Sequence, residues 1–226
     1  MHHHRSKKIL LYFFLFLFIG TLNNKNLKNF NLSEINEIVV TGLDEKDNNE
    51  LKNSLEIFKF KNLFLINEFN IRKIINSNNL VENFSVFKQY PSSLNIEVDK
   101  TKFVAEVKKD GDNFLLGTNG KLIKSTKITN DIPSIFGNFE NKDFFELKSA
   151  IEDSSFDYYK IKNLFFFQSG RWDIETNTGL IIKLPKDNIK LSLERTIKFL
   201  KKNHKKKINI IDLRQQNQII INGNQD

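Results

Sequence analysis

The amino-acid sequence predicts an α+β protein in three parts. These are an N-terminal transmembrane helix, a small domain ordered strand, helix, helix, strand, strand, and a mainly antiparallel β domain with attached helices. Three observations carry this reading. An uncharged apolar run at residues 9–22 follows Arg5, Lys7 and Lys8. Between residues 35 and 101 the apolar spacing reads first as strand, then as helix, then as strand again. Beyond residue 101, short apolar runs are separated by turn dipeptides such as Asp110-Gly111 and Asn119-Gly120. The expected divisions are residues 1–8 as a cytoplasmic tail, 9–24 as the transmembrane helix, 25–33 as a linker, 34–101 as the first domain and 102–226 as the second.

Composition narrows the class. Of 226 residues 27% are charged and 39% hydrophobic, which suits one or two small globular cores. The chain has no cysteine, so a disulfide framework, a CxxC redox site and a thiolate zinc site are excluded. Its net charge of +8 comes almost wholly from lysine, in a chain also crowded with Asn, Ile and Phe. Such usage looks like a coding bias towards A and T, and the charge is therefore not read as a nucleic-acid signal.

The apolar run sets the compartment. Fourteen residues of helix reach ~21 Å against a hydrocarbon core of ~30 Å, so length alone fits a cleaved signal peptide as well as a spanning helix. Two points favour retention. The stretch Ile19-Gly20-Thr21-Leu22-Asn23 lacks the small-x-small triplet that signal peptidase needs. Leu, Ile and Phe fill eleven of the fourteen positions, which makes insertion favourable by about 5 kcal/mol. Local thinning of the bilayer and snorkelling by Lys7, Lys8 and Lys25 would cover the missing length. The positive flank places the N-terminus in the cytoplasm and the rest outside. His2, His3 and His4 have no carboxylate or fourth histidine beside them and are read as an accident of the N-terminus rather than a metal site.

In the first domain, residues 35–41 read as a strand ended by Gly42. Residues 47–56 read as a helix with Leu51 and Leu55 one turn apart, and residues 68–76 as a second helix whose Ile71, Ile74 and Ile75 share a face. Residues 81–89 and 93–101 alternate as two strands around Tyr90-Pro91. In the second domain, strands are expected at 103–107, 114–116 and 121–124, a helix at 143–151, a strand at 161–167, and a hairpin of 171–175 with 180–184. A basic amphipathic helix follows at 189–202, where Leu193, Ile197 and Leu200 form a stripe, and strands at 208–214 and 218–221 close the domain. Trp172 and Ile174 are expected to enter the core, leaving Arg171, Asp173 and Glu175 on the opposite, solvated face.

The same residues argue against an enzyme. His204 is the sole histidine beyond residue 4 and lies in a lysine run, so no Ser-His or Cys-His machinery can be built from the exported part. There is no GxxxxGK[ST], GxGxxG or HExxH, and Gln168-Ser169-Gly170 lacks the glycine that a nucleophile elbow needs. The six lysines of residues 198–207 could touch anionic lipid or nucleic acid, or form a solvated helix end, which is the preferred reading. No catalytic residue, cofactor or metal is expected.

A series of phrases, in order along the chain, resembles a known family. INEIVVTGLDE at residues 35–45 is similar to the opening of a POTRA domain, and residues 62–75 and 78–107 continue the match. FLLGTNGKLI at 114–123, IPSIFG at 132–137, RWDIETNTGLIIKLP at 171–185 and INIIDLRQQNQIII at 208–221 resemble the second domain of the FtsQ/DivIB cell-division family. One departure is Thr118, which stands in the hairpin where the family commonly has an Asp-x-x-Gly turn.

The resemblance implies a POTRA domain followed by an FtsQ-type β domain. It further implies a non-enzymatic bitopic inner-membrane protein at the division septum, with its C-terminal domains periplasmic. The implied partners are FtsB and FtsL and, through them, the septal peptidoglycan synthase, with no nucleic acid and no small-molecule substrate. The alternative is a periplasmic POTRA module that binds outer-membrane polypeptides as a chaperone would. Residues 218–221 form the last strand and leave little chain to cover its outer side. Its Ile219-Ile220-Ile221 run is apolar on both faces, so it is either a docking edge or a strand covered by core and helix. The resemblance favours the docking edge, with a strand of FtsB added beside Gln218, Ile219, Ile220, Ile221 and Asn222, and with Arg171 as a charged contact.

Overall fold

A computed structural model of the chain describes residues 3–22, 34–125, 131–203, 208–215 and 218–222, with the backbone alone at residues 3–7 and 20–22. The proposed linker at 25–33 and His204 with Lys205, Lys206 and Lys207 therefore lie outside the described residues, as do the side chains of His2, His3 and His4.

Helix α1 (His3–Leu22) begins before the apolar run, because the basic residues ahead of it are good helix formers and continue the same turn. From Ile9 to Ile19 every side chain is large and apolar, and each is between 47% and 76% exposed. Among the described residues no helix is long and apolar enough to cross a membrane.

The chain divides into two compact units, one of Met1–Asn78 with Phe84–Val98, the other of Asn79–Asn83 with Asp99–Asp226. The first follows the expected order: β1 (Glu37–Thr41), α2 (Glu45–Leu55), α3 (Glu68–Ser77), β2 (Val81–Gln89) and β3 (Ser93–Lys100). The sheet order is β1-β3-β2, with β1 and β3 parallel. Both helices are amphipathic. Leu51 and Leu55 of α2 and Ile71 and Ile75 of α3 are buried, as are Ile38, Val40, Leu94, Ile96 and Val98 of the sheet. Asn67 caps α3 by accepting from Phe69 N at 2.9 Å. Gly42 sits at φ +107°, where a Cβ would lie 1.7 Å from the carbonyl oxygen of Val98, so no other residue fits the turn that ends β1.

The second unit is a nine-stranded sheet in the order β12-β11-β10-β9-β8-β7-β4-β5-β6. Its strands are β4 (Phe103–Lys109), β5 (Asp112–Gly117), β6 (Leu122–Lys124), β7 (Ser134–Phe136), β8 (Ile161–Phe166), β9 (Trp172–Thr176), β10 (Ile181–Lys183), β11 (Ile210–Asp212) and β12 (Ile220–Asn222). Helices α4 (Asn141–Glu152) and α5 (Ile189–Lys202) send Phe144, Leu147, Ile151 and Leu193 into one cluster with Trp172, Ile174, Ile182 and Ile211. Both helices thus cover the same face of the sheet. Trp172 is 2% exposed, in the core with Ile174 as its alternation requires.

One strand was missed and one expectation needs correction. Strand β7 was not legible as one: it holds three residues between Pro133 and Gly137, too few for a period, and it pairs parallel to both β4 and β8. Its Ile135 is 2% exposed, buried by partners that are distant in sequence. Asp173 does not stand on a solvated face. It is 7% exposed, because its cross-strand neighbours Phe165 and Lys183 and the adjoining Arg171 cover it. The departing Thr118 has a use of its own, donating to Glu82 Oε2 at 2.7 Å beside Thr101, which donates to the same oxygen.

Candidate partner-binding edge

The nine-stranded sheet ends in β6 on one side and β12 on the other, and the two edges differ in chemistry. β6 carries Lys124, paired to Asp112 at 2.7 Å, and the carbonyl oxygen of Leu122 accepts from Asn79 Nδ2. A charge at an edge discourages further pairing. β12 carries no charge, and all three of its residues are exposed, Ile220 at 50% and Ile221 at 41%.

The backbone register shows what β12 offers. Ile181 N donates to Asn209 O and Leu213 N donates to Lys183 O, so Ile211, which lies between these two bonds, directs its polar groups at β10. Ile210 and Asp212 then face β12, where their partners are Asn222 and Ile220, and Asn222 O accepts from Asn209 N. Alternation leaves the N–H and C=O of Ile221 pointing away from the sheet. The strand begins two positions later, ends one later and is one residue shorter than expected: Gln218 is exposed outside β12, and Ile219 packs partly against the core cluster.

Side chains sort into two rows across four strands. Ile174, Ile182, Ile211 and Ile221 form the row facing the helices, the first three fully buried. Asp173, Lys183, Asp212 and Ile220 form the row on the other face, so the apolar Ile220 ends a ladder of alternating charge. Asp212 accepts from Arg214 Nε at 2.9 Å and 3.0 Å, and this hydrogen-bonded pairing holds its carboxyl below the usual range. Asp173 behaves oppositely. Burial pushes its carboxyl up, against the pull of Arg171, Lys183 and Arg214. Its Oδ1 lacks a hydrogen bond, and Arg171 Nε stands 3.9 Å away.

Arg171 lies just before β9, its guanidinium 4.3 Å from the Phe167 ring centre. It lines a cleft of about 560 Å³ together with Lys186, Arg195, Arg214 and the start of α5 at Asn188 and Leu191. Four cations against Asp187 give this cleft a positive field. Sequence reading singled out Arg171 but missed Lys186, Arg195 and Arg214 as its neighbours. The I-D-L-R phrase was the available signal for Arg214, since it ends the strand whose partner is β12. Among the described residues no group of three metal-ligating side chains could hold an ion.

The order strand, helix, helix, strand, strand is that of a POTRA-type domain, and a β-rich domain follows it in the chain. Residues 33–100 match the family described as POTRA domain, FtsQ-type, and residues 105–214 match Cell division protein FtsQ/DivIB, C-terminal, together most of the chain. The chain belongs to the FtsQ/DivIB family of cell-division proteins. It is 25% identical over 108 residues to the cell division protein DivIB of Staphylococcus aureus (strain NCTC 8325 / PS 47), an alignment that covers 47% of this chain and 25% of that protein. A structural similarity extends to the major extracytoplasmic domain of DivIB from Geobacillus stearothermophilus, with a TM-score of 0.36 at 13% identity, over 47% of this chain and 97% of that one.

Proposed function

We propose that the chain is a non-enzymatic scaffold of the division septum, anchored by α1 with the N-terminus cytoplasmic, that captures a partner division protein on β12. The single observation behind this reading is the open edge, where the N–H and C=O of Ile221 face outward between the exposed Ile220 and Asn222. An extended segment pairs with that edge by β-augmentation; backbone bonds supply affinity and the alternating side chains fix register. The cationic cleft beside it takes acidic side chains of the same partner, with Arg171 at its rim. Family membership makes FtsB, with FtsL, the expected partner, and the septal peptidoglycan synthase the downstream beneficiary.

The anchor follows from α1. Eleven consecutive large apolar side chains exposed around a whole helix need a non-aqueous surrounding. The short span is met by bilayer thinning, and Arg5, Lys7 and Lys8 set the orientation.

Ile221→Pro tests the mechanism. It removes the outward donor while leaving the β11 ladder intact, as proline tolerates an edge position. Purified full-length protein should bind the FtsB–FtsL pair of the same organism, and Ile221→Pro should weaken that binding at least tenfold with an unchanged unfolding curve. Equal binding by the variant would refute strand addition at β12.

A further inference from the structure

At one end of the three-stranded sheet three segments meet. Ile35 N donates to Lys61 O, Phe60 N to Ile35 O, and Asn36 N to Ser92 O, while Glu34 bridges Asn62. These bonds gather residues 34–36, through which the chain arrives from α1, with the 59–65 segment and the turn that joins β2 to β3. Four large side chains at this end face outward: Phe60 at 73% exposure, Phe64 at 59%, Leu65 at 83% and Tyr90 at 53%. They are held in place. Asn62 Oδ1 accepts from Phe64 N at 2.9 Å and from Leu65 N at 3.3 Å, and the Phe64 ring stacks on Tyr90 at 4.6 Å. Phe60 is kept at φ 63°, a left-handed conformation unfavourable for an aromatic residue. The opposite end of the domain, where β1 runs out into α2, presents Glu45 and Lys46 instead.

We propose that this aromatic end rests in the interfacial layer of the bilayer that holds α1, a reading that depends on the membrane anchor proposed above. Residues 23–33 are eleven in number and can span at most ~40 Å, so residue 34 stays within that distance of the membrane and this end of the domain is the one the tether holds within reach of it. Aromatic and leucine side chains arrayed on one rigid end are the chemistry that the headgroup boundary accepts. Lys59 and Lys61 flank Phe60, but Glu34 and Glu37 lie at the same end, so apolar insertion rather than charge carries the contact and it should withstand high salt. The consequence is an oriented first domain, with the Tyr90 turn on the membrane and the α2 start away from it.

The test uses the full chain in vesicles of phosphatidylethanolamine and phosphatidylglycerol carrying brominated acyl chains near the headgroup. Leu65→Trp reports on the aromatic end, Lys46→Trp on the opposite end, and the parent, whose sole tryptophan is buried Trp172, supplies the background. Both probe positions are highly exposed, so tryptophan fits without repacking. The added Leu65→Trp emission should shift to the blue and fall by at least half, equally in high salt, while Lys46→Trp stays water-like. A chain that floats with the vesicles yet shows no quenching at position 65 overturns the proposal and leaves the anchor standing. A blue shift without quenching, or equal quenching at both positions, also overturns it. A chain that does not float refutes anchor and proposal together.

Discussion

Replacing Trp172 by alanine should cripple the second unit while leaving the first intact. The indole is 2% exposed, its centre 4.7 Å from the Phe166 ring and 5.9 Å from that of Phe139, which in turn meets Phe144 of α4. Trp172 therefore joins β9 to the helix layer. An indole buries up to ~250 Å², and ~25 cal/mol per Å² sets an upper bound of about 6 kcal/mol on its removal. Alanine keeps a small part of that, and the surrounding rings collapse incompletely into the space, so the expected loss is ~3–5 kcal/mol. Urea unfolding followed by far-ultraviolet circular dichroism is the assay, since the substitution removes the only tryptophan. With a denaturant slope of ~2–3 kcal/mol per molar for a unit of this size, the second unit's midpoint should fall by ~1–2 M. A variant that unfolds with the parent's midpoint would refute the placement of Trp172 as the keystone of the core.

Other outcomes follow from the same geometry. Gly137→Ala, whose Cβ would lie 2.3 Å from Phe166 O, should cost about 3 kcal/mol, whereas Gly179→Ala, with nothing within 4 Å, should cost only the ~1–2 kcal/mol of its positive φ; urea midpoints decide. Burial raises the Asp173 carboxyl above its ordinary 3.8, so the native state holds more protons than the unfolded chain in that window and stability from this group falls as pH rises through it. Asp173→Asn should therefore raise the urea midpoint at pH 7 and give no gain below 3.8. Asp212 has the reverse sign: its depressed carboxyl contributes stability above 3.8 that is lost as pH falls through the folded value, so Asp212→Asn should lower the midpoint at pH 7 and not in acid. Ile220→Pro should destabilise the β11–β12 pairing, measured as faster amide exchange at Ile210 and Asp212, whereas Ile221→Pro should leave those amides protected.

What was legible in the sequence depended on how local its cause is. Helix α5 was read over the residues it occupies, because its apolar stripe and the polar stretch after it lie within one window. Gly42 and Trp172 were legible for similar reasons: a glycine closing a strand and an aromatic alternating with charges have one sensible reading each. Strand β7 was not, because three residues become a strand only when β4 and β8 arrive from thirty residues on either side. Asp173 misled for a related reason. Alternation put it on the face away from the helices, which is correct, but its cover comes from Lys183 and Phe165 on neighbouring strands and so has no local signature. At the candidate site the edge position of the last strand was readable, whereas the outward residue was not. That Ile221 rather than Ile220 turns its backbone polar groups outward follows from the β10–β11 ladder, and the cleft assembles side chains from residues 169 to 215 that only the fold brings together.

The central claim is that β12 receives a strand from a division partner, and hydrogen–deuterium exchange on the full chain tests it most directly. On addition of the purified FtsB–FtsL pair, the amide of Ile221 should pass from rapid exchange to strong protection, together with slower exchange in β11 behind it. Protection that appears elsewhere, in the first unit for instance, with Ile221 exchanging as fast as in the free protein, would contradict the account.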